Sequence, residues 1–278
     1  MVNLGSIVAG LATDVAINTI GFVYSAIHQT EHFYDACGTG SFLASSAVTV
    51  VHRLLTRPGA GLAGRQLLLL GTTGVWATRL YLFLTRRIHR LGRDSRFNGV
   101  KDKPALFSVY WAVQALWVAI VVLPTVVVIA EDADKVAPLG TFDALGFAVW
   151  MLGFLLEAVA DQQKAVWQTK LGPNRGKEFI HTGLWSLCRY PNYAGEITLW
   201  FGSYLMAASA FPQSLAAKYG FSVSPLFIMF ILTNLSGIPI QEAQARKRFR
   251  NNAEYAKYVT ATPLLIPWPW AKSSAKSS

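Results

Sequence analysis

The chain alternates long apolar stretches with short, densely polar segments, and this pattern predicts membrane-spanning helices. Residues 105–130 contain no Asp, Glu, Lys, Arg or His, and the run includes WVAIVVLPTVVVIA. About 18 or more mostly apolar residues are enough for a helix to cross the hydrocarbon core of a bilayer. Residues 105–130 are therefore predicted to form one span.

Six further apolar stretches predict additional spans, so that the expected fold is an all-α, polytopic transmembrane helical bundle of about seven spans. The stretches are residues 15–27, 36–51, 66–84, 136–156, 199–217 and 219–241. Arg79 interrupts the third span and Asp143 the fifth. Other polar residues inside the runs are compatible with a span because a neighbouring helix can satisfy their hydrogen bonds.

The composition excludes a soluble fold. Hydrophobic residues make up 53% of the chain and charged residues only 14%, whereas about 25% of the residues in a soluble domain are charged. The chain is expected to be a single membrane domain over residues 1–278. Within it, residues 140–268 carry the densest polar segments, and residues 271–278 are predicted to be a disordered tail.

The net charge of +10 is unevenly distributed, which predicts a membrane topology rather than a nucleic-acid partner. Residues 85–104 contain seven Lys and Arg, residues 161–190 five, and residues 241–278 seven. With seven spans these segments fall on one side, and the acidic loop EDADK falls on the other. The positive-inside rule then places the C-terminus in the cytosol and the N-terminus outside or in a lumen. Membrane lipids are expected partners of the basic segments. If the source is eukaryotic, the expected membrane is that of the endoplasmic reticulum.

Ionisable residues near spans are candidate functional positions because a charge in hydrocarbon is costly. Arg79 is either a cation that reaches the membrane surface or one that faces inward. The segment HQTEHFYDACG, between the first two spans, is either a polar loop or a source of an acid or base. Glu31 and Asp35 in it would share a face if the segment is helical. It has no recurring metal-ligand signature such as HExxH, so no metal site is predicted.

The richest polar segment lies between the fifth and sixth spans and reads EAVADQQKAVWQTKLGPNRGKEFIHTGLWSLCRYPNYAGE. Its acidic, cationic and amide residues include Glu157, Asp161, Lys164, Asn174, Arg175, Lys177, Arg189, Asn192 and Glu196. Pro191 breaks the chain, and the residues after it are predicted to open the sixth helix. A helix N-terminus near several cations suits an anionic ligand such as a nucleotide phosphate. The alternative is a basic, capped loop on the cytosolic side.

The C-terminal segment QEAQARKRFRNNAEYAKYVTATPLLIPW is a second candidate. Glu242, Arg246 and Arg250 lie four residues apart, which predicts one helical face. The alternative is a basic helix that touches lipid headgroups. Its ending, LIPW, predicts an interfacial segment. No GxGxxG or P-loop pattern is present, so a nucleotide site here would not belong to a soluble dinucleotide-binding fold.

The two polar segments together resemble a known family. GLWSLCRYPNYAGE, with ADQQK before it and SGIPIQEAQARKRF and EYAKYVTATPLLIPW after it, resembles the DUF1295 branch of the steroid 5-alpha-reductase superfamily. WATRLYLFLTRR, GRDSRF and QTEHFYDACG extend the resemblance to about residues 29–268. The C-terminal half also resembles isoprenylcysteine and phospholipid methyltransferases.

The resemblance implies a seven-helix fold whose cytosolic cavity binds NADPH through the fifth-to-sixth segment and the C-terminal helix. Residues 140–268 are thereby expected to be the cofactor half, the half of the chain that carries the cofactor-binding signature. The matching positions in this chain are Asp161, Asn192 and Glu196, and more loosely Arg189, Tyr193, Glu242 and Arg246. Lys164 joins them as a cation of the same segment.

In the steroid enzymes a glutamate near the second helix and a tyrosine in the third helix polarise the conjugated carbonyl. By spacing from Arg79, the tyrosine position in this chain is Trp76, which argues against reduction of a 3-oxo-steroid. Glu31 is the counterpart of the glutamate by rough position. The candidates for a catalytic acid are therefore Glu31, Tyr34 and Tyr81.

The leading hypothesis for function is an NADPH-dependent oxidoreductase that reduces a carbon–carbon double bond of an apolar lipid, such as a sterol, enone or polyprenoid. One alternative is methyl transfer from S-adenosylmethionine to a lipid or prenyl-cysteine carboxylate. Another is a non-catalytic membrane protein that retains the fold. The density of cations favours NADPH, because S-adenosylmethionine has no phosphates.

Overall fold

A computed structural model of the chain confirms the all-α prediction, since every regular element of the described residues is a helix. The structure describes residues 2–57, 59, 61–92, 94–172 and 177–265. The predicted disordered tail, the LIPW ending, Asn174 and Arg175 lie outside the described residues.

The helices, numbered in chain order, include α1 Leu4–Ile27, α2 Tyr34–Thr56, α3 Gly64–Leu91, α4 Pro104–Ala130, α5 Thr141–Leu171, α6 Pro191–Ala208, α7 Leu215–Phe230, α8 Gly237–Arg248 and α9 Ala253–Ala261. A π-helical turn, Ile231–Leu235, joins α7 to α8 and makes Leu215–Arg248 one long element. Short 3₁₀ turns lie at Ser95–Phe97, Ala133–Lys135 and Gly183–Ser186.

Five of the described helical segments are long and apolar enough to cross a membrane, as expected of an integral membrane protein. They are Leu4–Ile27, Gly64–Arg90, Pro104–Ala130, Thr141–Leu171 and Leu215–Arg248. The other two predicted spans correspond to α2 and α6, which are helices of 23 and 18 residues.

The bounds of the sixth predicted span are wrong. The apolar run of residues 199–217 is not one helix, because α6 begins at Pro191 and ends at Ala208. Pro212 follows shortly afterwards, and a proline disfavours the helical conformation of the residue before it. The prediction that the residues after Pro191 open a helix is confirmed.

The chain forms two compact units, and the first contains α1 to α4. Unit 1 comprises Met1–Gly146 and Ser203–Phe227. In it α2 packs against α1, α3 and α4, and α1 also packs against α4. A Cβ atom on Gly10 would lie 2.9 Å from the main-chain oxygen of Ser45, and one on Gly38 2.7 Å from the side chain of Gln114. These close approaches require glycine, and they agree with the many small residues on the buried face of α2, which also contains Phe42 and Arg53.

One end of unit 1 is closed by a cluster of ion pairs, which we call the loop cluster. Its members are Glu31, Asp35, Arg87, Asp94, Arg96 and Lys101. Arg96 Nη2 lies 2.8 Å from Asp35 Oδ1 and 2.7 Å from Asp94 Oδ2. Burial raises the pKa of Asp94, but hydrogen bonds and charge from Arg96 outweigh it, so that the pKa of Asp94 lies below its ordinary value. The loop cluster therefore ties the start of α2 to the end of α3.

The opposite end of unit 1 holds the start of the chain and the ends of α2 and α4. Asn3 N donates to Ala130 O at 3.0 Å, and Asn3 Nδ2 donates to Thr56 Oγ1 at 2.8 Å. Arg57 pairs with Asp132 in the loop that follows α4. Consecutive helices of unit 1 thus alternate in direction, as the span prediction requires.

Unit 2 comprises Phe147–Gly202 and Ile228–Ser278. It contains most of α5, the start of α6, and α8 and α9. The prediction of a single domain over residues 1–278 stays a prediction, as does the boundary of the cofactor half at residue 140.

Candidate cofactor-binding site

All eight predicted cofactor residues lie in unit 2. Asp161 and Lys164 are on α5, Arg189 directly precedes α6, and Glu242 and Arg246 are on α8. The remaining three, Asn192, Tyr193 and Glu196, occupy the first turns of α6. Segments far apart in sequence therefore contribute to one compact unit.

Two glycines bring α5 and α6 into main-chain contact. A Cβ atom on Gly195 would lie 2.4 Å from the nitrogen of Glu157, and one on Gly153 2.3 Å from the nitrogen of Leu199. Side chains longer than hydrogen at these positions would separate the two helices. The polar residues on either side of this contact are thereby held at fixed positions.

An amide–carboxylate pair lies next to this helix contact. Asn192 Nδ2 donates to Asp161 Oδ1 at 3.2 Å. Asp161 and its neighbour one turn earlier, Glu157, are 7% and 3% exposed. Since the amide nitrogen faces the carboxylate, Asn192 Oδ1 points away from it, and this buried oxygen has no hydrogen-bond partner among the described residues. The pair thus presents a buried acceptor at the start of α6.

A second cluster is centred on the carboxylate of Glu242. Arg189 Nη1 donates to Glu242 Oε1 at 2.8 Å, and the Tyr190 hydroxyl donates to the same oxygen at 2.7 Å. Arg246 Nε lies 3.8 Å from the other oxygen, and its side chain is 78% exposed. Burial and the neighbouring Glu242 raise the pKa of Tyr190, so its hydroxyl stays protonated at neutral pH. Glu242 is therefore firmly held, whereas Arg246 is accessible.

Main-chain hydrogen bonds hold the segment before α6 in place. Arg189 N donates to Pro263 O at 2.9 Å, and Tyr190 N donates to Leu264 O at 3.1 Å. The residues after α9 thereby lie alongside the start of α6.

Lys164 lies over an aromatic ring. Its Nζ atom is 4.7 Å from the centroid of Trp185, a cation–π contact. Trp185 Nε1 donates to Ala160 O, and Trp185 O accepts from the Tyr258 hydroxyl at 2.6 Å. Gln163 Oε1 accepts from Leu184 N at 3.0 Å. The 3₁₀ turn Gly183–Ser186 is thus fixed against α5.

Tyr193 stacks on Tyr190 with ring centroids 5.6 Å apart and an interplanar angle of 8°. A Cβ atom on Gly237, just after the π-helical turn, would lie 3.0 Å from the Tyr193 ring. The starts of α6 and α8 therefore lie close together at Tyr193 and Gly237.

A comparison of the chain with known protein families gives a match. The DUF1295 family model, described as a protein of unknown function, matches residues 21–262, most of the chain. The chain belongs to the DUF1295 family. This confirms the family expected from the sequence motifs. No curated protein and no solved structure matches the chain.

The three catalytic candidates of this DUF1295 protein lie in unit 1. Two of them, Glu31 and Tyr34, form hydrogen bonds with other residues of that unit. Glu31 accepts from Lys101 Nζ at 2.8 Å and from Asp94 N at 3.0 Å. Burial raises its pKa, but these hydrogen bonds outweigh burial and lower the pKa below the ordinary value, which keeps Glu31 ionised at neutral pH. The Tyr34 hydroxyl donates to Tyr110 O at 2.9 Å. The roles of both residues in catalysis stay predictions.

The third candidate, Tyr81, is on α3 and is 37% exposed. Trp76, at the position expected for the catalytic tyrosine, is fully buried, and its ring packs 5.0 Å from that of Phe42. Arg79, also on α3, lies over the ring of Phe83 at 5.2 Å. The structure therefore does not bring Tyr81 into the contacts that hold Glu31 and Tyr34.

One conditional helical face does not form, and one predicted helical face is wrong. Glu31 and Asp35 do not share a face, because α2 of this DUF1295 protein begins only at Tyr34. Arg250 is not on the face of Glu242 and Arg246, because α8 ends at Arg248. In both cases the helix terminus falls between residues whose spacing alone predicts a shared face.

The sequence pattern does not mark Gln163 or Gly195 as site residues. In the structure both hold neighbouring segments of the candidate site in place. A glycine in α5 and one in α6 are a weak signal for close helix packing, because small residues are enriched at contacts between membrane helices. Among the described residues of this DUF1295 protein, no three His, Cys, Asp or Glu side chains form a group that could hold a metal ion.

Proposed function

We propose that this protein is a membrane-embedded reductase that uses NADPH to reduce a carbon–carbon double bond of an apolar lipid. Membership of the DUF1295 family and the resemblance of its motifs to the steroid 5-alpha-reductase superfamily support this reaction class. When bound, NADPH supplies a hydride to one carbon of the double bond, and a proton is added to the other carbon, leaving NADP⁺ and the saturated lipid.

The observation that carries the proposal is the Asp161–Asn192 pair. Asn192 Oδ1 is a buried acceptor without a partner among the described residues, and Asp161 is a buried carboxylate beside it. An unmatched acceptor needs a ligand group that donates a hydrogen bond. The nicotinamide carboxamide and the ribose hydroxyls are such donors, whereas a phosphate oxygen at neutral pH is not. We therefore assign Asn192 and Asp161 to the nucleoside part of the cofactor.

The phosphates are assigned to the exposed cations at the end of α8. Arg246, Lys247, Arg248 and Arg250 are all exposed. Arg189, by contrast, donates to Glu242 and serves to hold that carboxylate. The cationic groups for the phosphates therefore come mainly from the C-terminal segment and less from the segment before α6.

One observation favours the alternative cofactor, S-adenosylmethionine. Glu157 and Asp161 are 3% and 7% exposed, and the Glu242 side chain is 11% exposed, whereas the Arg189 side chain is 15% exposed and that of Arg246 78%. A buried acidic lining suits a cofactor with a positively charged sulfonium and amino group. Binding to the two cofactors therefore has to be compared directly.

The test is cofactor binding to the purified full-length protein in detergent, measured by calorimetry with NADPH and with S-adenosylmethionine. We expect NADPH to bind, and we expect Asn192→Ala to lower the NADPH affinity by about tenfold. One buried hydrogen bond contributes about 0.5–1.5 kcal/mol, and the Asp161 carboxylate also loses its amide donor. Asn251→Ala is the matched control, since Asn251 is exposed in the turn after α8.

Each outcome decides between the functions. Binding of S-adenosylmethionine alone would replace the reductase with a methyltransferase. Binding of neither cofactor would indicate a non-catalytic protein that retains the fold. Equal NADPH affinity of the Asn192→Ala and Asn251→Ala variants would contradict the assignment of Asn192.

A further inference from the structure

Unit 1 contains a carboxyl group near the middle of a membrane-spanning helix. Asp14 on α1 is 0% exposed. Asn18 Nδ2, one turn later, donates to Asp14 Oδ1 at 2.7 Å and lies 3.2 Å from Ser41 Oγ on α2. Asp14 precedes residues 21–262, which the family model matches, and the proposed reaction does not use it.

A chain of amides fixes the orientation of these groups. Gln114 Nε2 on α4 donates to Asn18 Oδ1 at 2.8 Å and to Tyr34 O at 3.0 Å. Because Asn18 Oδ1 accepts from Gln114, the Asn18 nitrogen is the atom that faces Asp14. The first carboxyl oxygen of Asp14 is therefore satisfied.

The second carboxyl oxygen has no such partner. Among the described residues, no group donates to Asp14 Oδ2, and Ser45 Oγ is likewise buried without a partner. Ser45 follows Ser41 by one turn on α2. The main-chain oxygen of Ser45 faces Gly10 on α1, and Gly10 lies one turn before Asp14. Helical register thus places two unsatisfied oxygens on neighbouring turns of facing helices.

The helices around Asp14 supply no positive charge to it. The sequences of α1 and α4 contain no Lys, Arg or His. The charged or titratable groups on α2 have other contacts. Asp35 pairs with Arg87 and Arg96. His52 Nδ1 lies 3.0 Å from Ser6 Oγ, and Arg53 Nη2 donates to Gly61 O. An ionised Asp14 would therefore be a buried charge without a compensating cation.

The packing restricts what can neutralise Asp14. A Cβ atom on Gly10 would lie 2.2 Å from Thr49 Oγ1, and one on Gly21 would lie 2.5 Å from the Trp111 ring. Helices this close exclude an organic ligand. A monovalent metal ion prefers several oxygen ligands, but Asn18 Oδ1 already accepts from Gln114. A proton needs only one carboxyl oxygen, and Asp14 Oδ2 accepts no hydrogen bond from the described residues.

We infer that Asp14 is a proton-binding site in the membrane-spanning part of unit 1. The neutral acid carries its hydrogen on Oδ2, the oxygen to which no described group donates, and Oδ1 accepts from Asn18. Loss of the proton places a negative charge between α1, α2 and α4 and disturbs the amide chain that leads through Asn18 and Gln114 to the start of α2. Proton release at Asp14 is thereby coupled to the packing of α1.

Equilibrium unfolding of the full-length protein in mixed micelles with sodium dodecyl sulfate tests the inference across a pH series. Because the folded state binds the proton more tightly than the unfolded state, stability is highest at low pH and falls as the pH rises. One linked proton changes the unfolding equilibrium constant by at most about tenfold per pH unit. Asp14→Asn, which imitates the neutral acid, should remove that contribution.

Asp102→Asn is the matched control, because Asp102 is exposed and the charge change is the same. We expect this variant to keep the pH dependence of the wild type. Infrared spectroscopy should show a protonated-carboxyl band that is present in the wild type and in Asp102→Asn and is absent in Asp14→Asn. In the wild type and in Asp102→Asn, this band should disappear as the pH rises and Asp14 loses its proton.

Two results would overturn the inference. Identical pH dependence of the wild type and Asp14→Asn, without a carboxyl band specific to Asp14, would show that the group is ionised. The second result comes from replacing choline with sodium at constant ionic strength. If sodium stabilises the wild type but not Asp14→Asn, the site binds a metal ion in place of the proton. Should Asp14→Asn fail to fold, the loss of the protonated-carboxyl band from the wild type and from Asp102→Asn as the pH rises still decides the question. None of these measurements depends on NADPH or on the proposed reaction.

Discussion

At the scale of single residues, the charge of Asp143 in the fifth span is matched by Arg65 on α3. Arg65 Nε donates to Asp143 Oδ1 at 2.7 Å, and Arg65 Nη2 lies 2.5 Å from Asp143 Oδ2. The two side chains are 3% and 4% exposed. Arg65 also donates to Ala137 O and Pro138 O. The guanidinium thus holds the loop between α4 and α5 as well as the carboxylate.

Arg65→Met should destabilise the protein by about 3–5 kcal/mol, because it leaves a buried carboxylate without its cation. The double variant Arg65→Met/Asp143→Asn should recover part of that loss, because the remaining group is neutral. Unfolding in mixed micelles measures both. Arg86→Met is the control, since Arg86 is an exposed arginine of the same helix. A loss no larger than that of Arg86→Met would show that the pair contributes little.

The same pair shows the limit of sequence reasoning at this scale. An acid inside an apolar run is visible in the sequence, and Asp143 is recognised that way. Its partner is 78 residues away and lies at the start of another span, where an arginine is unremarkable. The loop cluster has the same property, since Glu31 meets Lys101 only because α2, α3 and α4 fold together.

At the scale of helices, the contact between α5 and α6 determines the geometry of the candidate site. Gly153 and Gly195 allow the main chains of the two helices to touch, and Glu157, Asp161 and Asn192 lie beside that contact. Small changes in the separation of the helices therefore change the distance between Asp161 and Asn192.

Gly195→Ala should destabilise the protein by about 1–3 kcal/mol, because the added methyl group meets main-chain atoms and the helices must move apart. NADPH affinity should fall together with stability. Gly220→Ala is the control: Gly220 is also helical, and a Cβ atom there meets no heavy atom within 4 Å. That substitution should be neutral or slightly stabilising, since alanine favours helix over glycine. Equal effects of the two variants would contradict the role of the close contact.

The helices themselves follow from the sequence far better than their ends do. The fourth span, predicted as residues 105–130, corresponds to α4 at Pro104–Ala130, because apolarity and the proline at its start agree. The prediction is poorer for α2, in which Ser41, Ser45 and Thr49 face other helices and interrupt the apolar pattern. Hydropathy identifies segments whose side chains suit contact with lipid. The hydrogen-bonding groups of a polar residue between helices are satisfied by protein, so such a residue lowers the hydropathy of a segment that still spans the membrane.

At the scale of the whole molecule, the alternating direction of the helices in unit 1 gives the predicted topology a direct test. Residues 131–135 follow α4 at one end of unit 1, and the loop before α4 lies at the other end. Asp134 and Asp102 are exposed representatives of the two loops. The positive-inside rule assigns the loop with Asp102 to the cytosol.

Cysteine labelling in intact cells checks this assignment. In a protein whose Cys37 and Cys188 are replaced by serine, we expect Asp134→Cys to react with a membrane-impermeant thiol reagent and Asp102→Cys to react only after permeabilisation. For a protein of an internal membrane, sealed vesicles of known orientation take the place of cells. The reverse pattern would invert the topology, and labelling of both positions from one side would contradict the span count.

The loop cluster has a consequence for how the chain enters the membrane. Arg87, Arg96 and Lys101 belong to the basic segment of residues 85–104, and in the folded protein they pair with Asp35, Asp94 and Glu31. The orientation of a nascent span responds to Lys and Arg, while acidic residues contribute little. Under the predicted topology, we expect these three cations to help retain their loop in the cytosol during synthesis, before α4 has been made. Once the fourth helix is inserted, the same side chains form partly exposed ion pairs at the end of unit 1. We therefore expect each cation first to orient the chain and afterwards to join its helices.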